Sequence, residues 1–185
     1  MHTTLSRREF AVGAVVVALG GSNALAATED ELAWLRLGAS AELVAVAFWA
    51  RAARARVLTR PERGRLREAL AADRRHYVLL AAAIGPDAPT EADFSIGFRR
   101  GTFASRARLL AVGGRIKQAL VGLNLGAAAA ISEASLRALA ARIAASESAQ
   151  LSYLSSLGGG AVLGAALPAV LDIERATEEL GSYWG

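Results

Sequence analysis

Two short patterns in the sequence carry residue types that bind metal ions. Residues 73–76 read Asp-Arg-Arg-His, and residues 147–150 read Glu-Ser-Ala-Gln. Residues three apart lie on the same face of an α-helix, so Asp73 and His76 could coordinate one ion together. In the second pattern Gln150 offers only a neutral oxygen or an amide donor. The chemistry that these patterns indicate is metal coordination with one imidazole missing.

The helical spacing directs both patterns toward apolar surroundings. Asp73 and His76 fall in a seam of residues spaced four and three apart, and Glu147 and Gln150 fall in another. Such a seam faces one side of its helix and packs against neighbouring helices. The apolar members of the two seams are Leu66, Ala69, Leu80, Ala83, Leu136, Ala140, Ile143, Leu154 and Leu157. We therefore expect both patterns to point into a helical core.

A third acid is predicted to face the core from an earlier helix. Glu42 is the only charged residue between Leu37 and Ala50, and glycine, alanine or valine lies one turn away on either side. A lone ionised carboxylate in an apolar core costs several kcal/mol or takes up a proton, so inward acids on separate helices need a common explanation. One divalent ion of the iron, manganese or zinc type supplies it. The predicted ligands are Glu42, Asp73, His76 and Glu147.

Hydrophobic spacing predicts an all-α fold in which four helices position these side chains. The predicted elements are helix A (28–56), helix B (59–84), helix C (102–131) and helix D (132–157), followed by an apolar strap and a short helix from Asp172. Thr28 and Thr59 are expected to cap helices A and B, and Ser132 or Ser135 to cap helix D. Residues 85–101 contain helix breakers and predict a long crossover between two hairpins, the topology up-down-down-up.

Composition narrows the chemistry further. The chain has no cysteine, which excludes disulfides, thiolate metal sites and cysteine nucleophiles. Twenty of the 21 basic residues are arginine and only Lys117 is lysine, a bias typical of a GC-rich genome rather than of selected anion contacts, so we do not expect binding of nucleic acid. Hydrophobic residues make up 54% of the chain and aromatic residues 6%, a balance typical of one alanine- and leucine-rich helical domain.

The N-terminus has the features of an export signal. Arg7 and Arg8 precede a short apolar run over residues 11–19 and the sequence Ala-Leu-Ala at 24–26. This arrangement is typical of a twin-arginine signal cleaved after Ala26, and the run is too short for a stable membrane span. The predicted organisation is a signal at 1–26, a bundle at 27–158, and a strap with a short helix at 159–185. The mature protein is expected in the periplasm or cell envelope, or outside the cell.

With these features in place, the chain resembles ferritin-like domain proteins that carry twin-arginine signals. The resemblance covers residues 29–157 and is strongest in LRALAARIAASESAQLSYLSSLGG, residues 136–159. It implies a bundle in which each hairpin gives a glutamate from one helix and Glu-x-x-His from the other. Glu42 with residues 73–76 fits the first hairpin, with aspartate in place of glutamate. The second hairpin has lost its histidine at Gln150.

The departures from that pattern leave two interpretations open. Helix C contains no acidic residue, so a carboxylate expected near residues 120–124 is missing, and His76 is the only histidine after the predicted signal. An intact di-iron oxidase site is therefore not expected, no catalytic residue is assigned, and enzymatic activity is not predicted. Either the four ligands hold one iron, manganese or zinc ion, or the same residues and Gln150 form a buried hydrogen-bond network without metal in a structural or interaction bundle of the cell envelope.

Residues 51–75 contain nine arginines and form a predicted basic belt around the turn between helices A and B. Such a run is usually a solvated face. It could also contact an anionic envelope surface or the acidic C-terminal residues of the chain itself, and the second of these is the interpretation that we favour. Those acids are Asp172, Glu174, Glu178 and Glu179. The sequence leaves a homodimer open.

Overall fold

The computed structural model describes residues 27–159 and 168–184. Its α-helices are α1 (Glu29–Ala52), α2 (Arg60–Ile84), α3 (Arg106–Ala130), α4 (Ala134–Leu157) and α5 (Ile173–Gly181). Two 3-10 helices, Glu91–Asp93 and Thr102–Ala104, lie between α2 and α3. The predicted signal and most of the predicted strap, residues 160–167, lie outside the described residues.

The first four helices form the predicted bundle of two hairpins. α1 packs mainly against α2, α3 packs mainly against α4, and the hairpins meet chiefly where α1 contacts α3. Trp34 lies over Gly126 and Trp49 lies over Gly113, so α1 and α3 run antiparallel. The all-α fold with a long connection between the second and third helices is thus confirmed.

Side-chain contacts at both ends of the bundle join the two hairpins. At one end, Glu31 Oε1 accepts hydrogen bonds from the backbone N–H groups of Ser132 and Glu133, between α3 and α4. At the other end, Arg106 at the start of α3 donates to Glu62 at the start of α2 and to the carbonyl oxygen of Leu157 at the end of α4. These contacts set the register of the helices, and so the level at which inward side chains meet.

Helix boundaries follow local capping where the cap is a threonine. Thr28 and Thr59 each accept a hydrogen bond from the third residue of their helix, as predicted, and a glutamate there bonds back to each threonine. The predicted caps Ser132 and Ser135 are wrong. Glu133 caps α4 by accepting from the backbone of Leu136 at 2.7 Å.

Two predicted helices are also too long. α1 ends at Ala52 rather than at residue 56, because tight turns over residues 53–58 reverse the chain and bury Ala55 and Leu58 in the core. α3 begins at Arg106 rather than at residue 102. The 3-10 helix Thr102–Ala104 ends at Ser105, whose extended backbone (φ −136°, ψ 130°) interrupts the helix and whose side chain caps α3.

By length and composition α1 is apolar enough to cross a membrane. In the structure, however, 61% of its most apolar window is buried inside the protein. A helix at the centre of a soluble bundle has the same composition, so burial against the other helices accounts for the apolar character of α1.

The close approach of α1 and α3 depends on a glycine. A Cβ atom at Gly113 would lie 2.7 Å from Trp49 and 3.0 Å from Phe48, whose side chains are fully buried, whereas a Cβ at Gly114 would meet nothing within 4 Å. We expect Gly113→Ala to destabilise the protein by about 1–3 kcal/mol through overpacking. Gly114→Ala should instead stabilise it by about 0.5–1 kcal/mol through helix propensity. Urea denaturation of both variants tests this difference, and a shift in the same direction for both would contradict it.

Candidate metal centre

The four predicted ligands meet in the middle of the bundle. One ligand atom from each of Glu42, Asp73, His76 and Glu147 can be chosen so that all four lie within 4.8 Å of one another. The three acids are 0% exposed and His76 is 9% exposed. Helical periodicity therefore placed these side chains correctly, on α1, α2 and α4.

The third helix contributes Lys117, which is not one of the four predicted ligands. Lys117 on α3 is fully buried, and its Nζ lies 2.8 and 2.7 Å from the two carboxylate oxygens of Asp73 and 2.5 Å from Glu147 Oε2. The missing carboxylate of α3 is expected near residues 120–124, whereas the residue of α3 that reaches the cluster is Lys117. Asn124 donates to the carbonyl oxygen of Leu120 in its own helix instead. An ammonium group bridges the two carboxylates.

Donors occupy the whole carboxylate of Asp73. Besides the two contacts from Lys117, Trp49 Nε1 donates to Oδ2 at 2.8 Å and Gln150 Nε2 donates to Oδ1 at 3.2 Å. A carboxylate offers about four lone-pair directions, so these four contacts saturate it. Gln150 thus acts here as an amide donor, which the metal-free interpretation predicts.

The opposite side of the cluster has polar atoms without hydrogen-bond partners. His76 Nδ1 lies 3.0 Å from Glu147 Oε1 and 3.3 Å from Glu42 Oε1, but neither contact has hydrogen-bond geometry. Among the described residues, both Glu42 oxygens and His76 Nδ1 are buried and have no hydrogen-bond partner. Such atoms are rare in proteins and call for an explanation such as a bound ion. Carboxylate oxygen and imidazole nitrogen are ligands that suit iron, manganese and zinc.

The buried charges shift one another's pKa values. Burial raises the pKa of Glu42 to about 8, and the nearby Glu147 carboxylate adds to the rise. Burial opposes ionisation of His76, but Glu147 and Glu42 outweigh it and raise the pKa of the imidazole to about 9. Burial raises the pKa of Asp73 to about 6, although Lys117 opposes this rise. Against the effect of burial, Lys117 and Glu147 keep each other charged, so the lysine pKa is raised and the glutamate pKa lowered.

These shifts give the metal-free cluster balanced charges near neutral pH. Asp73 and Glu147 are then anions, Lys117 and His76 are cations, and Glu42 carries a proton. A balanced set of paired charges is the form in which a protein core tolerates ionised groups. A divalent ion that replaced the protons of Glu42 and His76 would leave the total charge unchanged.

The two hairpins contribute in parallel ways. Glu42 and Asp73 are separated along the chain almost as Lys117 and Glu147 are, and each acid is followed three residues later by a side chain that reaches the cluster. By position, Lys117 is therefore the counterpart of Glu42. The first hairpin has a carboxylate and an imidazole, which are ligand types that can coordinate metal, and the second has an ammonium where the first has a carboxylate.

Comparison with known proteins identifies the family of the bundle. The family profile of the ferritin-like domain matches residues 30–159, which include all four bundle helices and every residue of the cluster. A comparison with curated proteins gives no significant match. The matched segment is more than two thirds of the chain and coincides with the bundle, so the chain belongs to the ferritin-like domain family.

Proposed function

We propose that the bundle binds a single divalent transition-metal ion, of iron, manganese or zinc, between Glu42, His76 and Glu147. The supporting observation is that both Glu42 oxygens and His76 Nδ1 are buried beside Glu147 Oε1 without hydrogen-bond partners among the described residues. Asp73, the fourth predicted ligand, lies within the same cluster. Since donors saturate its oxygens, we assign it the role of holding Lys117, and it would join the ion only by releasing one donor.

A second metal ion does not fit this proposal. In ferritin-like di-iron proteins the carboxylates of the Glu-x-x-His motifs contact the metals, whereas here Lys117 Nζ contacts both Asp73 and Glu147. A second divalent ion would bring like charges together in a buried space. When bound, a single iron or manganese ion would supply one-electron redox chemistry, and zinc would supply a Lewis acid. The chain's own residues bind the ion and shield it from water.

A metal-free structural bundle is the second candidate function. The bridging ammonium of Lys117 favours it, because balanced charges already stabilise part of the cluster. Trp49 and Gln150 support the same network by donating to Asp73. The two candidates differ in what happens at Glu42 and His76, which this network leaves without hydrogen-bond partners among the described residues.

Calorimetric titration of chelator-treated protein with Mn²⁺ and Zn²⁺ distinguishes the candidates. The single-ion proposal predicts saturation at one equivalent and a rise in melting temperature. His76→Ala should weaken binding by roughly a hundredfold or more, since changing even an indirect partner of a metal site costs about 10–100-fold. Arg75→Ala, an exposed neighbour on the same helix, is the matched control and should bind like the unmodified protein. If neither ion binds or raises the melting temperature, the metal-free bundle is correct.

The metal-free protein is expected to lose stability as the pH rises from about 4.5 to about 9, first through Glu42 and then through His76 as well. The pKa of His76 is raised from 6.5 to about 9, so its contribution to stability is complete below 6.5 and is lost as the pH passes through 9. Glu42 keeps its proton up to about pH 8 when folded, while an unfolded glutamate loses it near 4.5, so it acts in the same direction. Melting temperatures measured across this pH range, once with a chelator and once with Zn²⁺, test the expected loss of stability. Zinc should make the melting temperature fall less as the pH rises. A melting temperature independent of pH would contradict these protonation states.

Export by the twin-arginine pathway is also a proposal. It is supported by Arg7, Arg8 and the Ala-Leu-Ala sequence at 24–26, all of which lie outside the described residues. Replacing both arginines with lysine should leave the precursor in the cytoplasm, as measured by cell fractionation. Unchanged export would rule out the pathway.

The partner of the basic belt is likewise still a proposal. Eight of its nine arginines are exposed, and no ion pair among the described residues joins the belt to the acids of the C-terminal segment. An anionic envelope surface is therefore the partner that we now favour for residues 51–75, by charge complementarity alone. The homodimer stays a prediction, which sedimentation analysis can test.

A further inference from the structure

A second site lies on the outside of the bundle, between α3, the end of the crossover and the end of α5. It is a cleft with a volume of about 710 Å³, within the range usual for small-molecule sites. Four arginines line it, together with a single acid, Glu179. The arginines are Arg99, Arg100, Arg108 and Arg115. The floor between them is apolar and includes Val112 and Ala119.

The walls of this cleft are fixed to the core. The backbone N–H of Gly97 in the crossover donates to the carbonyl oxygen of Tyr183 after α5, at 2.9 Å. The ring of Phe98 lies 5.8 Å from the ring of Tyr183 and 5.4 Å from that of Phe48, which is fully buried. The crossover and the C-terminal segment therefore hold each other in place, and the cleft is formed without a ligand.

The four arginines give the cleft a positive charge that a single carboxylate does not balance. Among the described residues none of the four takes part in an ion pair, whereas Arg106, at the start of the same helix α3, pairs with Glu62 at 2.7 Å. Like charges that line a concave, partly apolar surface concentrate positive potential inside it. The cleft is thus suited to a negative group.

The position of Arg108 is sterically linked to a turn beside the cleft. Its Nη1 would lie 2.9 Å from a Cβ atom at position 101, where the chain has glycine with φ +83°. Any larger residue there would be strained and would displace the guanidinium. Glycine at position 101 therefore permits the positive φ of the turn and leaves space for the guanidinium of Arg108, which lines the cleft.

We propose that this cleft binds a small organic anion. Its phosphate or carboxylate group contacts Arg108 and Arg115, because guanidinium groups bind both kinds of anion through paired hydrogen bonds. Its apolar part covers Val112 and Ala119. The site is separate from the metal centre, since Lys117 is directed into the core while the cleft opens to solvent on the other side of α3.

Hexyl phosphate is a suitable probe, compared by calorimetry with inorganic phosphate. We expect saturable binding of hexyl phosphate at one site, and tighter binding than that of inorganic phosphate because buried methylene groups add favourable apolar contact. The double variant Arg108→Gln/Arg115→Gln should weaken binding by roughly a hundredfold, about tenfold for each charged contact. The matched control is Arg137→Gln/Arg142→Gln, which removes the same charge from exposed positions on α4, outside both the cleft and the basic belt, and should leave affinity unchanged.

Three results would overturn the proposal. The first is the absence of saturable binding by the unmodified protein. The second is an equal loss of affinity in both double variants, which would show that only the overall charge matters. The third is binding to phosphatidylglycerol vesicles, without binding of hexyl phosphate, that the Arg108→Gln/Arg115→Gln variant loses, which would assign these two arginines to a membrane surface. Equal affinity for the two phosphates would overturn the apolar part of the ligand.

Discussion

Replacing Lys117 with methionine is expected to destabilise the metal-free bundle by about 3–5 kcal/mol, the loss typical when one partner of a buried ion pair is removed. The ammonium group is the only cation in contact with Asp73 and one of two near Glu147 among the described residues, and all three side chains are 0% exposed. Methionine has a similar shape and no charge, so it isolates the electrostatic contribution. Urea denaturation at neutral pH with a chelator present measures the loss.

Two controls make this prediction specific. Arg67→Met removes a positive charge from an exposed position on α2 and should change stability by no more than about 0.5 kcal/mol. Adding Asp73→Asn to Lys117→Met removes both partners and should recover part of the loss, because the two residues are directly coupled. If Lys117→Met is as mild as the exposed control, the ammonium group does not occupy the centre of the bundle.

The double variant Lys117→Glu/Gln150→His is expected to bind two metal ions in place of one. It supplies the carboxylate that α3 lacks and the imidazole that α4 lacks, so both hairpins would present the same ligand types. It also removes the cation that now contacts Asp73 and Glu147. Without metal, four acids would crowd the core, so the variant should fold only when metal is present. Metal analysis after gel filtration measures the stoichiometry.

The single variant Gln150→His is the control for that design. The new imidazole would lie beside Glu147, where Gln150 now donates at 3.5 Å, so one ion should bind more tightly. Lys117 would still occupy the second position, and we expect one equivalent and no rapid oxidation of ferrous iron by oxygen. Two equivalents in Gln150→His would show that Lys117 does not exclude a second ion. Rapid ferrous oxidation by the unmodified protein would contradict the whole assignment.

The inward placement of the ligands could be predicted from sequence because it depends on helical periodicity alone. Glu42 stands alone among apolar residues at core spacing, and Asp73 shares an otherwise apolar seam with His76. A buried charge needs a partner wherever the fold places it. The helix caps at Thr28 and Thr59 were equally predictable, since capping is local. The start of α4 was not, because Glu31 on α1 bonds the backbone just before that helix.

The sequence contains a signal for the burial of Lys117, although lysine is not one of the acidic ligands expected from α3. It is the only lysine of the chain, and it shares a buried seam of α3 with Gly113, Leu120 and Asn124. A long methylene stem often lies along apolar surface while its charged end reaches a polar partner, so burial was conceivable. The sequence does not predict which carboxylates the ammonium group contacts. Those contacts depend on how α2, α3 and α4 are shifted along their axes relative to one another.

The different roles of Asp73, which binds Lys117, and Glu42, which is the proposed metal ligand, could not be predicted from the sequence. Both are buried acids in similar surroundings by sequence. The positions of Lys117, Trp49 and Gln150, all on other helices, show that Asp73 is saturated with donors. The Glu42 oxygens have no hydrogen-bond donor among the described residues. Patterns within one helix indicate which face a side chain occupies, but contacts between helices decide its chemistry.

We propose that one metal ion and one ammonium group share this centre. Anomalous X-ray diffraction from crystals grown with Mn²⁺ or Zn²⁺ tests it directly by locating each ion. We predict one peak in the bundle core, bounded by Glu42, His76 Nδ1 and Glu147 Oε1, with Lys117 Nζ still between Asp73 and Glu147. Two peaks in the core, a single peak at the position of the ammonium group, or no peak at saturating metal would contradict the account.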